Sequence, residues 1–129
     1  MLVDTNYFLR WLLADNQNQT EKVKEVFRQA VAGKIKLEST LVVFFEVYWV
    51  LSSFYKQNKK QTVKGLENIL KLTFINWSNR QELEMAVELY KKTALDLEDA
   101  YNLSHIKLNK IQGLLSFDRQ LIKEYKKIG

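Results

Sequence analysis

The sequence predicts an α/β fold with a mostly parallel sheet covered by helices on both faces. Short apolar runs alternate along the chain with longer segments in which apolar side chains recur at helical spacing. Short continuous apolar runs of this kind are typical of parallel strands that are buried on both sides. The 129 residues contain no proline, repeat or linker, so we expect one domain spanning residues 1–129.

The first third of the chain begins with an apolar run, Met1–Val3, that suits a buried strand. Helical spacing follows from Tyr7–Ala14, and a second amphipathic helix is predicted over Thr20–Ala32. Gly33 stands where a helix C-terminal glycine is expected. The alternation in Lys34–Leu37 then suits a brief strand.

The most apolar stretch, Leu41–Leu51, is predicted to be a buried helix that runs to about Lys56, with a cap at Ser39–Thr40. Glu46 is its one charged residue. The neighbours one helical turn away on its face are all apolar: Val42, Val43, Trp49 and Val50. Because a glutamate is rarely buried without a partner, we expect Glu46 to be compensated, either by a basic residue or within a functional site.

The second half of the chain repeats the alternation of helices and short apolar runs. The first predicted elements are a helix over Thr62–Lys71 and a β-favouring run at Leu72–Ile75. A helix over Asn79–Lys92 follows, with an apolar stripe of Leu83, Ala86, Val87 and Tyr90, and Asp96 is predicted to cap a further helix to about Asn109. The last elements are a buried strand at Gly113–Phe117 and a helix from Asp118 to about Tyr125.

Acidic residues follow two of the predicted strands. Asp4 comes directly after Met1–Val3 and Asp118 directly after Gly113–Phe117, where parallel sheets place their sites. Asp99 lies in the first turn of a predicted helix. Each of these three could instead cap a helix or complement a helix dipole.

If these acids and Glu46 converge on one cleft, their charges must be compensated. Two carboxylates about 4 Å apart repel by roughly 4 kcal/mol at an effective dielectric of about 20. Either protons or a divalent cation must then bind, and ligands that are all oxygen select Mg²⁺ or Mn²⁺.

Composition narrows the partners and the location. The formal charge of +5 makes a polyanion such as nucleic acid a plausible partner. No window of about 18 residues is apolar enough for a membrane span, so we expect no membrane association. The chain has no cysteine, and Asp4 leaves no room for a signal peptide, so we expect a cytoplasmic location.

Four short segments, in order and with matching spacing over nearly the whole chain, carry a family resemblance: Val3–Asn6, Phe45–Leu51, Leu95–Ala100 and Leu115–Arg119. Through them the sequence resembles PIN domains, and among those it resembles the VapC-type toxins. The resemblance implies a three-layer α/β/α sandwich with a central, mostly parallel sheet of four or five strands.

The resemblance also implies a function, a Mg²⁺- or Mn²⁺-dependent endoribonuclease of a toxin–antitoxin system. The implied metal-binding and catalytic acids are Asp4, Glu46, Asp99 and Asp118, and the polar residues that would hold them are Asn6 and Ser116. Toxins of this kind act in the cytoplasm, are often homodimers and are neutralised by a cognate antitoxin. An RNA-processing nuclease, or a non-catalytic module that binds RNA or protein, is the alternative.

Some residues depart from the family pattern or lie outside it. The chain reaches Gly129 about where a fifth strand often begins, so we expect that strand to be missing or minimal. Glu98 stands beside Asp99 in place of a small or apolar residue, and His105 is expected at the surface or in a cap. The residues expected to contact RNA include Arg10, Lys59, Lys60, Lys91, Lys92 and Arg119, with Tyr7, Trp11 and Tyr101 as stacking candidates.

Overall fold

The structure, a computed structural model, describes residues 1–128 and groups the chain into two compact units, Met1–Ser78 and Asn79–Gly129. The elements of the first unit are α1 (Thr5–Leu13), α2 (Gln17–Val31), β1 (Leu37–Ser39), α3 (Leu41–Trp49), a π-helical segment (Val50–Phe54), α4 (Lys59–Leu70) and β2 (Ile75–Trp77). The elements of the second unit are α5 (Arg80–Lys92), α6 (Leu97–Asn109) and α7 (Arg119–Ile128).

The first unit contains a parallel sheet. Strand β1 pairs with β2 in the register Leu37 to Ile75, and the N-terminal residues join the other edge of β1 through a parallel bridge from Leu2 to Glu38. The Val3 amide donates to the Glu38 carbonyl at 2.8 Å. The α/β class with a parallel sheet is therefore confirmed, and Asp4 follows directly on this ladder.

The second and third predicted strands of the first unit begin later than their apolar patterns indicated. The end of α2 uses the residues at the start of the earlier pattern, because the Gly33 and Lys34 amides donate to Ala30 and Gln29 carbonyls, each at 3.0 Å. Gly33 has a positive φ of 77°, as its predicted position after the helix requires. The start of the later pattern closes a turn, in which the Ile75 amide donates to the Leu72 carbonyl at 3.0 Å.

The predicted buried strand at Gly113–Phe117 is wrong. Within residues 1–128 no ladder pairs this segment, and Leu115 and Phe117 are fully exposed, at 102% and 104%. The described sheet has two strands and one bridge, so four or five strands are not confirmed. The last helix runs beyond its predicted end near Tyr125, and Gly129 lies outside the described residues. An apolar run predicts burial, but a strand also needs a partner that the run itself does not specify.

Helix α3 exposes the face that carries Glu46, so the prediction that this carboxylate is buried is wrong. Val42 and Trp49, one turn to either side of Glu46, are 74% and 59% exposed, and Glu46 is exposed with them. The buried face consists of Val43, Phe44, Val47 and, beyond the helix, Leu51. Because the helix is apolar on nearly every side, its sequence did not specify which face would pack inward.

The inward face of α3 belongs to an aromatic cluster in the core of the first unit. The Trp77 ring stacks on Phe8 with centroids 5.1 Å apart and meets Phe44 edge-on at 5.6 Å. All three side chains are buried. This cluster joins β2 to α1 and α3, and it thereby fixes the helix that begins immediately after Asp4.

Helices α5 and α6 form the core of the second unit. The predicted stripe of α5 is confirmed, because Leu83, Ala86, Val87 and Tyr90 are all buried. Helix α7 packs through Leu121, which joins Leu95 and Leu103 in an apolar cluster. The helices that carry Asp99 and Asp118 are thus held in one packed unit.

A polar network also connects α5 to α6. The Glu82 carboxylate accepts hydrogen bonds from the Tyr101 hydroxyl and from Asn109 Nδ2, the latter at 2.8 Å, and it lies 3.3 Å from His105 Nδ1. Burial alone would raise the pKa of Glu82, but the bonds from these three residues outweigh burial and lower it. Burial, together with the bond to Glu82 and its charge, raises the pKa of Tyr101 to about 12.

We predict that Glu82→Gln lowers the free energy of unfolding by about 1–3 kcal/mol at neutral pH, because it removes a hydrogen-bonded charge from a largely buried position. A lowered carboxyl pKa stabilises the fold above the unfolded-state value of 4.5, and this contribution is lost as the pH falls through the folded-state value. The difference from wild type should therefore shrink in acid. Urea denaturation at neutral and acidic pH measures it. Glu84→Gln, an exposed change on the same helix, is the control, and an equal loss in both variants would contradict the prediction.

Candidate functional site

Asp4 occupies the N-cap of α1 at the end of the N-terminal ladder, and its side chain is exposed. Of the predicted cap Ser39–Thr40, Thr40 caps α3, whereas Ser39 has a role that the sequence did not indicate and fixes the backbone just before Asp4. Ser39, only 1% exposed, donates its hydroxyl to the Val3 carbonyl at 2.8 Å. The available sequence signal was that Ser39 alternates with Leu37 along the strand, at an inward-facing position where an apolar residue is usual. Asn6, its neighbour on α1, is exposed, and its predicted supporting role stays a prediction.

The second unit brings two of the predicted acids close together. Asp96 accepts a hydrogen bond from the Asp99 amide at 2.9 Å and so caps α6, as predicted. Asp118 accepts one from the Leu121 amide at 3.0 Å and so caps the start of α7. The Asp118 amide in turn donates to the Ser116 hydroxyl oxygen at 2.9 Å. Capping bonds of this kind fix the side chain as well as the helix end.

Neighbouring acids disfavour the ionisation of Asp99 and Glu98. Partial burial, followed by the negative charges of Asp96 and Asp118, raises the pKa of Asp99 above its usual value. Partial burial, with the charges of Asp96 and Asp99, likewise raises the pKa of Glu98 although that residue is largely exposed. Asp99 and Asp118, 19 positions apart in sequence, are therefore close enough for one charge to disfavour the other.

The model of one protein family, described as PIN domain, matches residues 1–127. The chain belongs to the PIN domain family. The match covers the segments that contain all four predicted acids, and PIN domains are usually nucleases. A search of the curated proteins found no match to this chain, and neither did a search of the solved structures.

The four acids of this PIN domain are divided between its two units. Asp99 and Asp118 lie together in the second unit, with Asp96 and Glu98 beside Asp99. The other two acids lie in the first unit. Asp4 follows the sheet, and Glu46 is on the exposed face of α3.

The donor chemistry of the second-unit acids suits a hard divalent cation. Within residues 1–128 no three His, Asp or Glu side chains form a ready metal cage. Mg²⁺ commonly binds through only one or two carboxylates and completes its coordination with water and substrate phosphates. A cation between Asp99 and Asp118 would also relieve the repulsion that raises the Asp99 pKa. Two neighbouring carboxylates are therefore a donor set that would fit Mg²⁺ or Mn²⁺.

The basic and aromatic residues expected to contact RNA differ in how far they are already engaged. Arg10 pairs with Asp15 at 3.1 Å and donates to the Tyr55 hydroxyl at 3.2 Å, so its guanidinium is held within the first unit. Tyr101 donates to Glu82, and its ring stacks on the exposed His105. Arg119 is exposed at the start of α7. The RNA-binding roles of Arg10 and Arg119 stay predictions.

Within residues 1–128 no helix is both long enough and apolar enough to cross a membrane.

We predict that Asp99→Asn raises the melting temperature of the metal-free protein at neutral pH by roughly 1–3 °C, equivalent to less than about 1 kcal/mol. A raised carboxyl pKa gives stability that is present below the unfolded-state value of 3.8 and is lost as the pH rises through the folded-state value. The ionised Asp99 side chain therefore costs stability at neutral pH, even though a helix N-terminus favours an acid.

Calorimetry on chelator-treated protein tests this. The gain in melting temperature should vanish near pH 3, where the side chain at position 99 is mostly uncharged in both the wild type and the variant. Asp15→Asn is the matched control. The Asp15 carboxylate is paired with Arg10, so removing its charge should not raise the melting temperature. A lower melting temperature for Asp99→Asn than for wild type at neutral pH would contradict the prediction.

Proposed function

We propose that this PIN domain is a Mg²⁺- or Mn²⁺-dependent endoribonuclease that hydrolyses phosphodiester bonds in RNA. The observation that carries the proposal is the proximity of two acids at the starts of separate helices: Asp118 lies close enough to Asp99 for its charge, with burial and Asp96, to raise the Asp99 pKa. Membership of a family that is usually nucleolytic supports the same chemistry. The net charge of +5 suits a polyanionic substrate.

Asp99 and Asp118 would hold the cation, with Asp4 and Glu46 contributing as the family resemblance implies. A bound Mg²⁺ or Mn²⁺ ion supplies Lewis-acid chemistry, which lowers the pKa of water and neutralises charge on the scissile phosphate. The chain's own part is to hold these acids in position. The Asp118 carboxylate accepts a hydrogen bond from the Leu121 amide, and the Asp118 amide donates to the Ser116 hydroxyl oxygen. The Asp99 amide donates to the Asp96 carboxylate, which fixes the backbone at Asp99.

The Glu46 carboxylate is exposed and not buried as predicted. Because the carboxylate lies on the exposed face of α3, it needs no compensating partner to be tolerated. Its proposed contribution to metal binding now rests on its place in the segment Phe45–Leu51 that resembles the family.

We predict that purified protein cleaves a structured RNA only when Mg²⁺ or Mn²⁺ is present. Asp99→Asn and Asp118→Asn should each lower the cleavage rate by about 100-fold or more, because losing even an outer supporting group of a metal site commonly costs about 10–100-fold. Asp4→Asn and Glu46→Gln should also lower it. Gel assays with and without a chelator measure the rates.

Asp15→Asn controls for the loss of one negative charge outside the proposed site, and circular dichroism checks that every variant is folded. Equal cleavage by wild type and all four site variants would identify a contaminating nuclease and end the proposal. Undiminished cleavage in excess chelator would instead exclude the metal-dependent chemistry.

The biological role we propose is that of a VapC-type toxin, acting in the cytoplasm as a homodimer and neutralised by a cognate antitoxin. The four family-like segments quoted above support this assignment. We predict that inducing the chain in a bacterial host arrests growth, that Asp99→Asn abolishes the arrest, and that the product of an adjacent upstream reading frame relieves it. Growth curves measure all three effects. Active nuclease without growth arrest would favour an RNA-processing enzyme.

One observation favours a second candidate, a PIN module that binds RNA or protein without cutting it. No group of three acids forms a metal cage within residues 1–128, and Glu46 is exposed. The two candidates differ in one measurable respect. A binding module would retain RNA affinity in the same preparations that show no metal-dependent cleavage.

A further inference from the structure

One face of α7 carries a stripe of positive charge that starts next to Asp118. Arg119, Lys123 and Lys126, the basic stripe, recur at intervals of four and three residues, so they lie on one side of the helix. All three are exposed. At a rise of 1.5 Å per residue the stripe extends for about 10 Å.

The opposite face of α7 is the one that packs. Leu121 and Glu124 are 6% and 8% exposed, and Tyr125 and Ile128 pack against the same cluster as Leu121. The burial of this face directs the stripe outward. The stripe is therefore a consequence of how the helix docks within the second unit.

The one acid within α7 is paired outside the basic stripe. Glu124, the acid within α7, accepts from Lys127 and from Gln120, each at 3.3 Å, and Lys127 lies outside the stripe. Within residues 1–128 none of the three stripe side chains has an ion pair or a side-chain hydrogen bond. The nearby end of α6 adds further positive charge, since Lys107 donates to the Ile128 carbonyl at 3.3 Å.

Arg119 lies at the end of α7 where the helix dipole disfavours a cation. A cation in the first turn opposes the helix dipole and costs about 0.3–1 kcal/mol, whereas Lys126 in the last turn complements it. The first turn of α7 contains no acidic residue to offset Arg119. Arg119 thus places a positive charge directly beside the Asp118 cap, the acid proposed to bind metal.

We infer that the basic stripe binds the phosphate backbone of single-stranded RNA and guides it to Asp118. This inference rests on the proposed nuclease function, whose substrate path it specifies. Exposed, unpaired cations in a row give contacts to phosphates that do not depend on base sequence. A strand lying along α7 would approach the acids from the Arg119 end.

The test compares two variants with the same change in charge and composition. Arg119→Gln/Lys123→Gln/Lys126→Gln removes the stripe. Lys22→Gln/Lys24→Gln/Arg28→Gln removes two lysines and one arginine from exposed positions of α2, two of which already pair with Glu21 and Glu25. Both triple variants are also made in an Asp99→Asn background, so that binding is measured without cleavage.

Fluorescence anisotropy with a labelled oligouridylate, at several salt concentrations, measures the affinity. Three lost phosphate contacts should reduce the slope of log K against log salt by about 2, since each contact to a single strand contributes about 0.7. The affinity at about 0.15 M salt should fall at least about tenfold. In the cleavage assay the stripe variant should raise KM with little change in kcat, because backbone binding is shared by substrate and transition state.

Three outcomes would overturn the inference. An unchanged affinity and slope in the stripe variant would do so, and so would an equal loss in the α2 control, which would indicate general attraction by net charge. Loss of an antitoxin complex with RNA binding intact would assign the stripe to a protein partner instead. A failure of the nuclease proposal is distinguishable, because RNA affinity would still depend on the stripe while wild type cleaved nothing.

Discussion

Capping carboxylates hold the candidate site together. Asp96 and Asp118 each accept a backbone hydrogen bond at the start of a helix, at 2.9 and 3.0 Å, and so fix both the helix end and the acid. Such positions favour negative charge, which allows several acids to gather at neighbouring helix starts. Burial and the charges of neighbouring acids act in the opposite direction and raise the pKa of Asp99. A cap and a metal ligand are thus compatible roles for one side chain.

Helices α5 and α6 show how neighbours decide the protonation of a carboxylate. Partial burial disfavours ionisation at both Glu82 and Asp99. Glu82 accepts bonds from Tyr101, Asn109 and His105, which lower its pKa, whereas Asp99 is next to other acids, which raise its pKa. The Glu82 network therefore stabilises the packing of α5 on α6, and the acids at the start of α6 remain available for a cation.

The proposed substrate path places opposite charges side by side. A phosphate backbone is repelled by Asp99 and Asp118 and attracted by Arg119, Lys123 and Lys126. Divalent ions at the acids would remove the repulsion, and the exposed face of α7 would supply the attraction. Substrate binding and metal binding would then depend on each other, since each reduces the electrostatic cost of the other.

The sequence by itself determined the helices, the caps at Asp96 and Gly33 and the family, because helical hydrogen bonds and caps are made between residues close in the chain. The tertiary structure decided what depends on distant partners. It exposed Glu46, because α3 is apolar on nearly every side, and it left residues 113–117 without a ladder. It also brought Asp99 within reach of the charge of Asp118, which no spacing in the sequence specifies.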